Sequence, residues 1–121
     1  MRFRFLFFAA LGLLLLEAHL LAKDSSDHRR RVLVISTPTR TDPRYLKQQS
    51  VLTPRSAAFR ERDLVVKIVS GEFQIQLIGK DGHTAFSSRE PVPQGEIFAR
   101  IDAMPMRQDE MRRQEKHRKA D

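Results

Sequence analysis

The sequence predicts a small α/β domain, because strand-like and helix-like patterns alternate along the chain. Short β-branched runs at residues 31–36 and 64–69 have the length of strands, and residues 73–78 alternate apolar with polar side chains. Asp42-Pro43 joins a favoured N-cap residue to a proline and predicts a helix between the first two strands. A strand–helix–strand order followed by two more strands and a helix is typical of a layered α/β sandwich.

The first half of the chain yields two strands and two helices. Residues 31–36 form a continuous apolar run, which indicates a strand buried on both faces. The helix that follows is predicted at residues 43–52. Proline is favourable at the first helical position, because the backbone N–H that it lacks would have no partner there. Thr53-Pro54 repeats the pattern and predicts a short second helix through Phe59. The second strand, at residues 64–69, is closed by Ser70-Gly71.

The second half yields a hairpin, a helix and a charged tail. Residues 79–82 have the glycine and aspartate content of a turn, so residues 83–88 are the hairpin partner of residues 73–78. Ile97, Phe98, Ile101 and Met104 lie on one stripe of a helix that begins at Pro93 and stops before Pro105. Residues 107–121 are almost entirely polar, which is consistent with a frayed charged helix or with disorder.

The N-terminal segment has the pattern of a secretory signal. Arg2 and Arg4 precede an apolar run at residues 5–16, and Ala22 is a suitable residue before the cut. We therefore predict a signal peptide at 1–22, a polar linker at 23–30, a domain at 31–106 and a charged tail at 107–121. The expected location is the periplasm or the exterior. The alternative is an uncleaved signal that anchors the chain in the inner membrane, although the run is short for a span of about 20 residues.

Charge and cysteine content limit the classes of function. The signal holds two arginines and one glutamate, so cleavage after residue 22 leaves 99 residues and lowers the net charge from +7 to +6. A basic surface favours anionic partners, although an exported protein seldom meets nucleic acid, which is therefore not expected as a partner. The chain has no cysteine. Disulfide exchange, thiolate catalysis and cysteine metal sites are excluded.

Five short strings resemble a bacterial domain of unknown function of the P-DUDES group, which is related to domains of animal extracellular proteins with sushi repeats. They are residues 32–38, Asp42 to Tyr45, residues 62–66, Leu-Ile-Gly-Lys-Asp-Gly at 77–82 and Ile-Asp-Ala-Met-Pro-Met-Arg at 101–107. The resemblance covers residues 31 to about 113, and it implies a thioredoxin-like fold and an exported setting. It implies no established activity and no functional residues.

The resemblance also predicts a missing element. Family members carry a helix between the second and third strands, whereas only Ser70, Gly71 and Glu72 separate Val69 from Phe73 here. We predict a four-stranded thioredoxin-like sandwich that lacks this helix. The two strands then form a hairpin, or one long strand bends at Gly71, because a link this short is not expected to cross the first strand. Val66, Ile68, Ile75 and Leu77 are the candidates for the face left uncovered, and self-association or low stability would follow.

The junction of the first strand with the first helix is the only candidate site. A thioredoxin-like enzyme carries its reactive pair there, and this chain has hydroxyls and one guanidinium instead, at Thr37, Thr39, Arg40 and Thr41. They are suited to an anion near a helix N-terminus, or they cap and solvate the loop. The histidines outside the signal lie far apart, so no metal site, catalytic residue or cofactor is predicted.

These observations favour an exported, non-catalytic module that binds a protein or an envelope component not identified by the sequence. Two alternatives stay open: an enzyme with a non-thiol site at the first strand–helix junction, and a basic protein that binds anionic surfaces. Membrane contact is expected only if the signal stays uncleaved.

Overall fold

The computed structural model describes residues 30–121, which fold around one mixed β-sheet. The predicted signal at 1–22 and all but the last residue of the predicted linker lie outside the described residues. No helix within residues 30–121 combines the length and the apolar content that crossing a bilayer requires.

The elements follow the predicted order. The strands are β1 (Arg31–Thr37), β2 (Leu64–Ser70), β3 (Gln74–Ile78) and β4 (Thr84–Ser88). The helices are α1 (Pro43–Ser50), α2 (Ala57–Glu61), α3 (Gln94–Asp102) and α4 (Pro105–Ala120). The α/β class and the four-stranded sheet are confirmed, residues 71–73 contain no helix, and the arrangement is consistent with a thioredoxin-like fold.

The predicted cap begins the first helix, whereas the second helix begins at Ser56 and not at the predicted Thr53-Pro54. The Asp42 carboxylate accepts the Arg44 N–H at 2.9 Å, with Pro43 in the first turn of α1. The Ser56 hydroxyl accepts the Phe59 N–H at 3.3 Å and so begins α2. Each cap satisfies a backbone donor that has no partner within its helix. Of the two alternatives for the tail, the structure has the helix: α4 begins at Pro105 and continues to Ala120.

The strand order is β2-β1-β3-β4, with β1 parallel to β2 and antiparallel to β3. The prediction that β2 and β3 form a hairpin or a single bent strand is therefore wrong: they lie on opposite sides of β1. Two inter-strand spacings amount to about 9.6 Å. The four steps from Ser70 to Gln74 span about 13 Å when extended, so the short link crosses the end of β1. Gly71 N–H donates to the Thr37 carbonyl at 3.1 Å as it crosses.

The helices bury one face of the sheet. Leu33 and Ile35 of β1 and Ile75 and Leu77 of β3 are fully buried against a cluster that includes apolar residues of α1, α2 and α3. Val66 and Ile68 of β2 pack against the same cluster. The prediction that these β2 and β3 residues face the side left uncovered is therefore wrong, because the register turns them toward the helices.

The opposite face carries the alternate residues of the same strands. Val34, Val65, Val69 and Ile78 are half-buried there and lie outside the core cluster. Burial of β1 on both faces is therefore only partly confirmed, since Val32 is the one residue of its second face that is buried. Low stability and self-association stay predictions.

Candidate functional site

The predicted site lies at the end of the sheet where β1 and β2 finish, which we call the junction end. A cavity of about 140 Å³ there is lined by Thr37, Pro38, Thr39 and Arg40 together with the end of β2. The structure thus brings three of the four predicted site residues to one cavity, and Thr41 follows them directly in the loop before α1.

The polar groups of the junction end bond mainly to one another. The Thr37 hydroxyl donates to the Thr39 carbonyl at 2.7 Å, and the Thr39 and Thr41 hydroxyls lie 3.2 Å apart. Arg40 Nη1 donates to the Tyr45 hydroxyl at 3.1 Å. The N-terminus of α1 is already capped by Asp42. This geometry orders the loop, which is the simpler of the two interpretations of these residues.

The other end of the sheet holds a group of ionised side chains that the sequence did not single out. We call it the charged cluster. Its members come from the start of β1, the corner between α2 and β2, the β3–β4 turn, the end of α3 and the start of α4. They are Arg31, Arg62, Asp63, Lys80, Asp102, Arg107 and Glu110.

Glu110 is the centre of one half of this cluster. Its carboxylate accepts two hydrogen bonds from Arg31, at 3.1 and 3.2 Å, and one from Lys80 Nζ at 2.8 Å. Lys80 Nζ also donates to Asp63 at 2.8 Å. Arg31 is only 1% exposed, so this carboxylate is what compensates its buried positive charge. The bonds hold α4 and the β3–β4 turn to the first residue of β1.

Asp102 is the centre of the other half. Arg62 donates to both of its carboxylate oxygens, at 3.1 and 2.9 Å, and Arg107 donates to one of them at 3.2 Å. Arg107 also donates to the Glu61 carbonyl at 2.9 Å, and the Arg62 guanidinium lies 4.3 Å from the centre of the Phe98 ring. These contacts fix the corner between α3 and α4 against α2.

The contacts of the cluster favour the ionised form of Lys80, Asp102 and Glu110. Burial acts to raise the pKa of Glu110, but hydrogen bonds from Arg31 and Lys80 outweigh it and hold that pKa below its usual value. Burial likewise acts to raise the pKa of Asp102, and hydrogen bonds from Arg62 and Arg107 lower it overall. Burial acts to lower the pKa of Lys80, but the bonds to Asp63 and Glu110 raise it overall. The carboxylates of Asp102 and Glu110 and the ammonium of Lys80 are therefore charged at neutral pH.

A cavity of about 240 Å³ lies beside the charged cluster, between the β3–β4 turn and the corner that joins α3 to α4. We call it the hairpin cavity. Arg31, Lys80, Asp81 and His83 supply its polar lining. Its other lining residues are Gly79, Ala85, Met104, Pro105 and Met106. The site therefore joins a buried cation to a mainly apolar wall.

Sequence reasoning missed this site, although several of its residues lie in short sequence strings that resemble the family. Arg62 and Asp63, Lys80, and Asp102 to Arg107 belong to three of the strings that carry the family resemblance. A usable signal was the spacing of Arg107 and Glu110 at i and i+3, on one side of a helix that begins at Pro105. Nothing local in the sequence pairs Arg31 with Glu110.

Metal binding has no support in the part of the chain that the structure describes. Within residues 30–121, no three histidine, aspartate or glutamate side chains are grouped so that they could hold a metal ion. His83 lies 3.6 Å from Asp81 at the exposed rim of the hairpin cavity, where the two form an isolated pair.

Comparison with known proteins gives one family. A family model described as a domain of unknown function, DUF4174, matches residues 23–72 and residues 65–110. The two matches overlap at residues 65–72, which hold most of β2 and the start of the link that crosses β1. The place where one match gives way to the other therefore coincides with the link at which the sequence predicted a missing helix. No curated protein and no solved structure gives a significant match.

Proposed function

The chain belongs to the DUF4174 family of domains of unknown function, and from its geometry we propose that it is an exported, non-catalytic module that binds a protein or other envelope component at the hairpin cavity. The observation that carries the proposal is the charged cluster, which holds five segments of the chain together. One cavity lies between three of them: the start of β1, the β3–β4 turn and the corner between α3 and α4. Ligand sites are typically preformed concave surfaces with apolar walls and a few placed polar groups, and this cavity has both.

The junction end supports the non-catalytic part of the proposal. Its hydroxyls bond within their own loop, and the chain has no cysteine to serve as the reactive group of a thioredoxin-like enzyme. We also infer that the domain falls within the P-DUDES group and shares its relation to sushi-repeat proteins. Three of the strings that suggest this relation supply residues of the charged cluster.

Site-specific cross-linking tests binding at the hairpin cavity. Because the natural chain has no cysteine, an Ala85→Cys substitution provides a unique thiol at the cavity, and Ala99→Cys provides a matched thiol on the exposed side of α3. Each protein is coupled to a photoreactive maleimide and irradiated in the envelope of the cells that produce it. We expect a discrete cross-linked species from the Ala85→Cys protein alone. Equal products from the two positions would contradict the proposal.

Export is proposed from the N-terminal pattern alone. Two arginines precede an apolar run of signal-peptide length, and cleavage after Ala22 would release a chain of 99 residues. The intact mass of the protein recovered from the envelope should lack residues 1–22. A full-length mass together with retention in the membrane would support the anchored alternative instead.

A further inference from the structure

We propose that the end of α4, residues 112–120, binds an anionic lipid surface and holds the exported domain against it. The proposal goes beyond the hairpin cavity, because it assigns a second binding surface at a different place in the molecule. Three features carry it: the excess of positive charge at the end of α4, the exposure of that charge, and the point at which the N-terminal segment joins the domain.

The end of α4 holds most of the positive charge of the protein. Residues 112–120 contain five cations and one carboxylate, so these nine residues supply a net charge of +4 out of the +6 that remains after cleavage of the signal. Four of the cations lie on one side of the helix, because three of them are three or four residues away from Lys116. We call this side the basic face: Arg112, Arg113, Lys116 and Lys119.

Contacts within α4 account for only part of this charge. Arg112 pairs with Asp109, and Lys119 pairs with Glu115 at 3.4 Å. Cations in the last turn also stabilise a helix through its dipole, but this effect does not extend beyond that turn. Arg113 and Lys116 precede the last turn, and among residues 30–121 neither forms an ion pair with a carboxylate. The basic face therefore carries more positive charge than the helix itself needs.

The basic face does not pack on the rest of the fold. Every residue from Arg112 to Asp121 is exposed, and the hydrogen bonds that Arg112 and Arg113 donate stay within α4. A helix that is polar on all sides gains no burial, so these cations stay available to a partner. The end of α4 also lacks the apolar side with which an amphipathic helix enters a bilayer. We therefore expect contact with lipid headgroups without insertion.

The path of the chain favours a lipid surface over other polyanions. Arg31 bonds to Glu110, so the N-terminal segment joins the domain beside α4, and the helix rises only about 14 Å from Glu110 to Lys119. In the proposed export the apolar run at residues 5–16 enters the membrane. Residues 17–29 then reach at most about 45 Å from it. Export therefore brings the basic face to the bilayer, whereas an exported domain seldom meets nucleic acid.

The number of cations is sufficient for reversible binding after the signal has been removed. Each lysine or arginine close to an anionic lipid surface strengthens binding roughly fivefold. This attraction extends only about one Debye length, about 10 Å at 0.1 M salt, so the cations have to lie on one side of the molecule, as those of the basic face do. Contact with a membrane then does not require an uncleaved signal.

Sedimentation with lipid vesicles tests the inference. The protein is purified in the form that the cells export and is mixed with vesicles of phosphatidylcholine, with or without about 30% phosphatidylglycerol. We expect at least tenfold tighter binding to the vesicles that contain phosphatidylglycerol. Raising the salt from about 0.05 M to about 0.5 M should remove most of this difference, because exposed charges are screened.

Two variants with the same net charge locate the binding surface. One variant neutralises three cations of the basic face: Arg112→Gln, Lys116→Gln and Lys119→Gln. The matched variant neutralises three exposed cations of other parts of the chain: Lys47→Gln, Arg55→Gln and Arg89→Gln. We expect the first to weaken binding to the anionic vesicles roughly a hundredfold and the second by no more than about threefold.

A fluorescent label tests which part of the protein contacts the lipid. Because the natural chain has no cysteine, Ala120→Cys provides a unique thiol beside the basic face, and Ala99→Cys provides one on the exposed side of α3. Each thiol is coupled to a dye whose emission depends on its surroundings. The emission should change on addition of anionic vesicles for the label at residue 120 alone.

The outcomes are independent of the hairpin cavity, which the Ala85→Cys cross-link tests. Equal losses of binding in the two triple variants, or an unchanged emission from the label at residue 120, would overturn the basic face as a binding surface. Binding to a DNA duplex that is tighter than binding to the anionic vesicles at the same salt, and that requires the basic face, would overturn the assignment of lipid as the partner.

Discussion

The two ends of the sheet differ in how far along the chain the hydrogen bonds of their side chains reach. At the junction end, Thr37 bonds to Thr39 and Arg40 bonds to Tyr45, which are separations of 2 and 5 residues. At the charged cluster, Arg31 bonds to Glu110 across 79 residues, and Lys80 bonds to Asp63 across 17. Short-range contacts shape one loop, whereas long-range contacts hold separate elements together. We therefore expect substitutions at the cluster to affect the whole fold and most of those at the junction to act locally.

The largest effect is expected for Glu110→Ala. This change leaves the Arg31 guanidinium, only 1% exposed, without its carboxylate. Removal of one partner of a buried ion pair costs about 3–5 kcal/mol, and the partial exposure of Glu110 places the expected loss near the lower value. The free energy of unfolding in urea measures it.

A control on the same helix isolates the role of burial. Glu115 forms an exposed pair with Lys119 at 3.4 Å, four residues along α4. Glu115→Ala should cost no more than about 0.5 kcal/mol, because exposed pairs of this kind contribute little. The double variant Arg31→Met with Glu110→Leu should regain much of the stability lost in Glu110→Ala, since it leaves no unpaired charge. Similar losses for Glu110→Ala and Glu115→Ala would show that the cluster does not hold the fold.

Gly71→Ala is expected to have the next largest effect, and it is the exception at the junction end. Gly71 has φ +151°, and a Cβ atom there would lie 2.7 Å from the Ser36 Oγ atom. The link must make this close approach because it crosses the end of β1. We expect a loss of about 1–3 kcal/mol, measured by urea unfolding.

Gly95 provides the matched control for this substitution. It lies in α3, and no atom comes within 4 Å of the position that its Cβ would take. Gly95→Ala should therefore stabilise the protein by roughly 0.5–1 kcal/mol through helix propensity alone. If both substitutions stabilise the protein, the crossing of β1 by the link is in error.

The same contrast in range explains which features could be predicted from the sequence. The helix start at Asp42-Pro43 depends on neighbouring residues, so a local pattern reveals it. The short second helix was predicted from the same kind of pattern, but it begins at Ser56 and not at Thr53-Pro54. The alternation at Phe73 to Leu77 correctly placed these apolar side chains on one face of the sheet, but it did not indicate that the helices cover that face. The crossing of β1 by a short link is a property of strand order, which no local pattern records. The cluster was missed for the same reason, because its charges resemble ordinary surface charges until the fold brings them together.

Acid should weaken the cluster in a defined direction. The pKa values of Asp102 and Glu110 are lower in the folded protein than their ordinary values of 3.8 and 4.5. Their contribution to stability is therefore complete above the unfolded-state values and is lost as the pH falls from about 5 through the folded-state values. Because both carboxylates are partly exposed, at 34% and 19%, this loss should be smaller than that caused by Glu110→Ala.

Urea midpoints measured from pH 7 down to pH 3 test this dependence. In Glu110→Gln the urea midpoint should fall less steeply as the pH decreases, because the side chain at this position no longer takes up a proton on unfolding. The matched change at the junction end is Asp42→Asn, where a hydrogen bond from the half-exposed Arg44 lowers the pKa of the carboxyl. Asp42→Asn should change the pH dependence of the urea midpoint less than Glu110→Gln does. A larger change for Asp42→Asn than for Glu110→Gln would reverse the ranking of the two ends.

The smallest effect is expected for Thr39→Ala, which tests whether the junction end has a role beyond its loop. The Thr39 hydroxyl is exposed and lies 3.2 Å from that of Thr41, so its loss should change the free energy of unfolding by no more than about 0.5 kcal/mol. If these hydroxyls held an anion with Arg40, phosphate would raise the melting temperature of the natural protein, and Thr39→Ala would reduce that rise. We expect no phosphate-dependent rise in either protein at constant ionic strength, because Asp42 already caps α1 and the Thr37 hydroxyl is engaged by a backbone carbonyl. A rise that Thr39→Ala or Arg40→Ala abolishes would make the junction end a second binding site.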